Sequence, residues 1–270
     1  MAGVHPFFAA ARPLVFAHRG GSLLAPENTL AAFDHGLSLG ADGLELDVHL
    51  SRDGRVMVCH DADVDRTTDG TGPVAGHSLE ELARLDAGHR FCREGGFPFR
   101  GRGLVVPALR DVLDRHRDVR IIIELKDGTA ALAAAALDEA TQANALDRVC
   151  FGSAHAGGLR TIRAVEPGVA TGAAREEVRG ALLRSWIGWP MPRDRFDAFQ
   201  VPEAVGALRV VSPRFVRAAH RAGLPVQVWT VDRADDMRRL LAWGVDAIIT
   251  DRPDVAVAIV RGMTRSEGRT

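Results

Sequence analysis

The chain has 270 residues, 46% of them hydrophobic, and a formal net charge of −1 from 34 Lys plus Arg against 35 Asp plus Glu. Such a chain can bury a sizeable core, and its balance of charge excludes nucleic acid or an anionic membrane surface as a bulk electrostatic partner. Any phosphate chemistry must therefore be local, and the odd set of Cys59, Cys92 and Cys150 fits neither a disulfide framework nor a zinc pattern.

In chain order, MAGVHPFFAAARPLVFAHRG has no basic leader and runs straight into a first strand. Neither a signal peptide nor a membrane span is expected, and a cytoplasmic location is the default. Apolar, β-branched runs predict strands at 14–18, 43–49, 119–124, 148–152, 168–172, 197–201, 225–230 and 246–250. Helical spacing falls between them, as in Leu30, Phe33 and Leu37 or Met237, Leu240 and Leu241, with Asn28 and Asp232 as expected N-caps. Eight β/α units predict an α/β (β/α)8 TIM-type barrel, one domain spanning 1–270. Residues from about 51 to 106 break the rhythm: a hairpin partner (RVMVCH), a Gly/Asp/Thr-rich turn region, a short helix (SLEELARL) and a Gly/Arg/Phe-rich stretch. This interval is expected as an insertion after the second strand that shapes one end of the barrel. The tail after Arg261 is expected to fray.

Parity locates the chemistry. In the second strand Leu44, Leu46, Val48 and Leu50 share one face, and Glu45, Asp47 and His49 share the other. The apolar face must pack on the helices, so the carboxylates point into the barrel, where polar residues belong at the C-terminal mouth. The third strand repeats this, with Ile121, Ile123 and Leu125 opposite Glu124 and Lys126. Inward carboxylates repel each other and are costly to keep charged without a cation. An all-oxygen acidic set of Glu45, Asp47 and Glu124 suits Mg²⁺ or Ca²⁺; the alternative is a set of salt bridges in which Lys126 neutralises Glu124. His18 and His60, each closing a strand, are candidates for general acid and base, with Arg19 to hold a phosphate oxygen. Lys126 is the single lysine among 33 arginines. A compact ammonium at that place, where a flat guanidinium would crowd a cation, is the expected reason.

HRG at 18–20, PENT at 26–29, ELD at 45–47, HD at 60–61 with DRTTDGTG behind it, ELK at 124–126, WT at 229–230 and TDRP at 250–253 resemble, in order and spacing, the glycerophosphodiester phosphodiesterase family. The resemblance covers roughly residues 14–260. It implies a TIM barrel with an insert after the second strand and one divalent cation on Glu45, Asp47 and Glu124. It further implies His18 and His60 as the acid–base pair, Arg19 and Lys126 on the phosphoryl group, Glu27 near the metal or Arg19, and Trp229 lining the substrate pocket. The implied reaction is hydrolysis of a small glycerophosphodiester to sn-glycerol 3-phosphate and an alcohol, by water or through a cyclic phosphate made by the neighbouring glycerol hydroxyl. In one place the chain departs from the family: a Ser-Phe pair is usual after the fourth strand, and here Ser153 is followed by Ala154. Phe151, Phe91, Phe97 or Phe99 is expected to replace the missing ring. Two other readings remain: a phospholipase-like enzyme on membrane lipid, using the Phe and Arg side chains of the insert, and a non-catalytic metal- or phosphate-binding barrel.

Overall fold

A computed structural model describes residues 5–11, 13–192 and 195–267. The strands are β1 (Leu14–His18), β2 (Gly43–Leu50), β3 (Val56–Val58), β4 (Arg120–Leu125), β5 (Val149–Gly152), β6 (Ala170–Thr171), β7 (Phe199–Pro202), β8 (Ala204–Val205), β9 (Leu208–Arg209), β10 (Val226–Trp229) and β11 (Ala247–Thr250). Eight of them lie parallel in the order β6-β5-β4-β2-β1-β11-β10-β7. A parallel bridge between Gly172 and Ala198 joins the two ends of this curled sheet. The helices are α1 (Leu30–Ser38), α2 (Leu79–Leu82), α3 (Leu109–Arg115), α4 (Ala130–Gln142), α5 (Ala156–Val165), α6 (Arg175–Ile187), α7 (Pro213–Arg221), α8 (Ala234–Ala242) and α9 (Pro253–Glu267). The expected TIM-type barrel is the fold.

Strand parity works as the sequence requires. Leu44, Leu46, Val48, Ile121, Ile123 and Leu125 are buried in one layer with helix side chains such as Phe33, Leu109 and Leu132. The inward residues Phe16, Ile122, Cys150, Ala170, Ala198, Ala247 and Ile249 form a separate core with Phe7 and Phe8, which sit in the short 3-10 turn Pro6–Phe8 ahead of β1. Register then assembles the mouth. His18 pairs with Glu45 across β1 and β2, and six consecutive pairs between β2 and β4 set Asp47 beside Glu124.

Several local expectations need correction. Asn28 does not cap α1: its φ of 57° is left-handed, whereas an N-cap needs extended backbone. Thr29 takes that role and accepts the Ala32 N–H. Asp232 does not cap α8, whose first turn follows Arg233 without a side-chain cap; Asp232 accepts instead from the Thr250 hydroxyl and the Asp251 N–H. The strand expected over 168–172 shrinks to β6, because the Asp197 carboxylate takes the Thr171 N–H at 2.8 Å. Residues expected to fray after Arg261 continue α9 to Glu267; the last three lie outside the described residues. The β8–β9 ribbon was not foreseen.

Between β2 and α3 the chain does what its pattern demands. β3 pairs antiparallel with β2, and α2 starts on a reciprocal Ser78–Glu81 capping box. Met57, Val64, Leu82 and Val106 give this segment a small core of its own. Among the described residues no helix is long and apolar enough to cross a membrane.

Candidate active site

The C-terminal ends of the barrel strands open into a cavity of about 750 Å³. His18, Arg19, Glu45, Asp47, His60, Glu124, Lys126 and Trp229 all line it. Of the expected site residues Glu27 alone lies behind this wall, where it accepts from Arg19 Nη1 at 3.1 Å and from Arg66 Nη1 and Nη2 at 2.7 and 2.8 Å.

Each histidine has an acidic partner. His18 Nδ1 is 2.7 Å from Asp251 Oδ1, and His60 Nδ1 is 2.6 Å from Asp61 Oδ1. A carboxylate only accepts, so both Nδ1 atoms carry hydrogen and both Nε2 atoms are free for proton transfer. Burial pulls the His18 pKa down, but Glu45, 3.8 Å from Nε2, and Asp251 outweigh it and leave it raised. For His60 burial prevails over Asp47 and Asp61, and the pKa is lowered.

The carboxylates divide into one that has counter-charges and two that do not. Asp47 is buried, which by itself would raise its pKa, yet Lys126 and Arg19 hold it below the ordinary value. Lys126 Nζ lies 2.9 Å from Oδ1 and Arg19 Nε 3.1 Å from Oδ2, while the Asn28 amide donates to Oδ2 at 2.9 Å. The Arg19 Nε–H is too misaligned toward Asp47 to form a hydrogen bond and is left without one. Burial and then the charge of Asp47 push Glu45 up to about 7. Burial, only partly offset by Lys126, pushes Glu124 up to about 8. A side chain at position 152 would collide with Glu124, since an added Cβ would lie 2.7 Å from its Oε2; Gly152 makes room for the carboxyl.

Two buried carboxyls without a counter-ion, beside a third, are what a hard divalent cation would relieve, and the donors are all oxygen. In chemistry the residues fit such an ion. Among the described residues, no three His, Cys, Asp or Glu side chains are drawn close enough to cage one.

Several contributors escaped the sequence reading. Asp61 and Asp251 were visible within the HD and TDRP motifs, but only the fold sets them on the histidines. Arg66 ties Asp61 to Glu27, so a continuous polar chain runs from His60 through Asp61, Arg66, Glu27 and Arg19 to Asp47. Asn28, taken for a cap, serves Asp47. His49 bonds the His60 carbonyl at 3.1 Å. No phenylalanine replaces the family's missing ring at this cavity. Phe151 has the parity of Ile123 and Leu125 and is buried against the helices. Phe91 and Phe99 pack edge to face on each other, and Phe97 lies under Arg100. The wall is built instead by Trp229, by Val178 and Leu182 of α6, and by Val205 and Leu208 of the ribbon.

Comparison with known proteins gives one answer. The profile of the glycerophosphoryl diester phosphodiesterase family matches residues 18–255. A glycerophosphodiester phosphodiesterase of Caldanaerobacter subterraneus is 35% identical over 255 residues, 93% of this chain and 98% of that one. Among solved structures, the glycerophosphoryl diester phosphodiesterase domain of a Mycobacterium tuberculosis protein superposes with a TM-score of 0.79 at 25% identity, over 91% of this chain and 98% of that one. A phosphodiesterase of Oleispira antarctica, solved in complex with the product sn-glycerol-3-phosphate, gives a TM-score of 0.74 at 26% identity over 92% and 96% of the two chains. The chain belongs to the glycerophosphoryl diester phosphodiesterase family, and it is an enzyme of the phosphoric diester hydrolase class.

Proposed function

We propose that this protein, acting as one domain in the cytoplasm, hydrolyses glycerophosphodiesters to sn-glycerol 3-phosphate and an alcohol, with His18 and His60 as the acid–base pair. The observation that carries this reading is the pair itself. Two histidines, each oriented by its own aspartate, line one cavity with the cationic side chains of Arg19 and Lys126.

Arg19 and Lys126 hold the phosphoryl oxygens and spread the charge that grows on them in the transition state. One histidine Nε2 takes the proton of the attacking oxygen, either water or the neighbouring glycerol hydroxyl. The other gives a proton to the alcohol oxygen as its bond to phosphorus breaks. On the hydroxyl route the same two groups exchange roles while water opens the cyclic phosphate. Asp251 and Asp61 keep both rings in the tautomer that leaves Nε2 available. Glu27, held below its ordinary pKa by Arg66 and Arg19 against the upward push of burial, fixes the Arg19 guanidinium. Trp229 walls the alcohol side.

Glu45, Asp47 and Glu124 would hold one divalent cation, Mg²⁺ or Ca²⁺, which supplies Lewis-acid polarisation of the phosphoryl oxygen. With it bound, Glu45 and Glu124 stay ionised at neutral pH.

The test is release of glycerol 3-phosphate from glycerophosphocholine, glycerophosphoethanolamine and glycerophosphoglycerol in EDTA, Mg²⁺ or Ca²⁺. Release that needs a divalent ion and disappears in His18→Ala is the expected result. Turnover that survives EDTA, or a His18→Ala enzyme as active as the parent, would overturn the assignment.

A further inference from the structure

The cavity has two unlike sides. One carries the histidines, carboxylates and cations; the other is formed by Val178, Leu182, Val201, Val205, Leu208 and Val210. At about 750 Å³ the whole space is in the range for drug-sized ligands, roughly 300–1,000 Å³. A glycerophosphodiester of a small alcohol is mostly polar and leaves this second side without a partner.

Helix α6 explains how that side arises. It begins three residues after β6, at the mouth. Its end is tied to the start of α7, again at the mouth, by Arg214 Nη2 donating to the Trp186 carbonyl at 2.7 Å. The helix therefore lies along the rim instead of descending the barrel wall, and only Ala181, Leu182 and Ser185 of its residues are buried. Val178, Leu182 and Trp186 follow one another at four-residue steps on one face. The first two face the cavity, and Trp186 stands 50% exposed beyond them, with Ile187 at 53% and Trp189 at 61%. Across the opening the β8–β9 ribbon holds Val205 and Leu208, both exposed, on the same cavity. Apolar area of this kind, continuous from a catalytic pocket to the surface, marks a binding groove.

We propose that this side is a chain-binding subsite, and that the preferred substrates are glycerophosphodiesters bearing one long apolar chain, laid between α6 and the ribbon. This rests on the phosphodiesterase reading above. The bond broken is the same: phosphorus to alcohol oxygen, with hydrogen delivered to that oxygen and the attacking oxygen joined to phosphorus. A chain could be attached on either side of the phosphate, as an acyl group on the glycerol or on the alcohol, and both present the same apolar surface.

The experiment compares kcat/KM for glycerophosphocholine, for lysophosphatidylcholines with acyl chains of increasing length, and for glycerophospho-N-acylethanolamines of matching length, all at monomeric concentrations. A rise of up to about fourfold per methylene, levelling off when the groove is full, is expected in at least one series; the series that responds locates the chain. Val205→Gln and Leu208→Gln, exposed ribbon positions that the fold tolerates, should each lower the ratio of long-chain to glycerophosphocholine kcat/KM by about tenfold or more. If glycerophosphocholine is cleaved while chain length has no effect and the variants leave the ratio unchanged, the subsite is overturned and the phosphodiesterase reading stands. If no diester is cleaved, both fall together.

Discussion

Around β1, β2 and β4 the barrel mouth rests on continuous parallel ladders and carries a network of buried charge, whereas between β6 and β7 a single bridge joins the sheet ends and apolar side chains wall the cavity. The contrast follows from what each side must hold. Buried carboxylates and guanidiniums interact usefully only at fixed short distances, so they sit at strand ends whose register cannot slip. An apolar wall needs area more than angle, and a rim helix with a two-stranded ribbon supplies it.

The sharpest way to break this contrast is at the charged side. His18→Ala and His60→Ala should each lower kcat by about 10²–10⁴-fold with a melting temperature near that of the parent, checked by steady-state kinetics and calorimetry. If activity persists, the charged half of the mouth is not the reacting half. In the layer that supports it, Phe151→Ala removes a fully buried ring and should cost about 3–5 kcal/mol of stability in a denaturant titration. Lys126→Arg tests the single lysine. The larger, flat head cannot repeat the 2.9 Å contact with Asp47 beside Glu124, and kcat/KM should fall by about tenfold or more with little change in stability. At the apolar side, Trp186→Ala should shift stability by no more than about 0.5 kcal/mol, because the ring stands half exposed. A large loss there would mean that the rim supports the fold rather than a ligand.

Away from the mouth, His220 and Asp246 sit 2.8 Å apart, and the hydrogen bond from Asp246 raises the His220 pKa against the pull of burial. A raised histidine stabilises the folded state fully below its unfolded value of about 6.5 and loses that contribution as pH climbs through the folded value. His220→Gln should therefore lower the melting temperature more at pH 6 than at pH 9. An equal drop at both would show that the pair does not titrate with folding.

Strand alternation and parity are local properties of an extended backbone, repeating every two residues, so the sequence alone determined the eight-stranded architecture and the inward aim of Glu45, Asp47, Glu124 and Lys126. The ordered motifs likewise marked the family and all the cavity-lining candidates. Partnership across the ring is not local. Asp251 meets His18 across 233 positions, and Arg66 meets Glu27 across 39. Neither distance is written in any spacing, because closure of the barrel and folding of the 51–106 segment bring them together. The same holds for Asn28, whose left-handed backbone turns an apparent helix cap into a ligand of Asp47. It holds too for the pocket wall: Phe151 was sent outward by its parity, and α6 was laid along the rim where sheet pairing between β6 and β7 gives out. Period decides which face a residue takes, but only packing over the whole ring decides what it meets there.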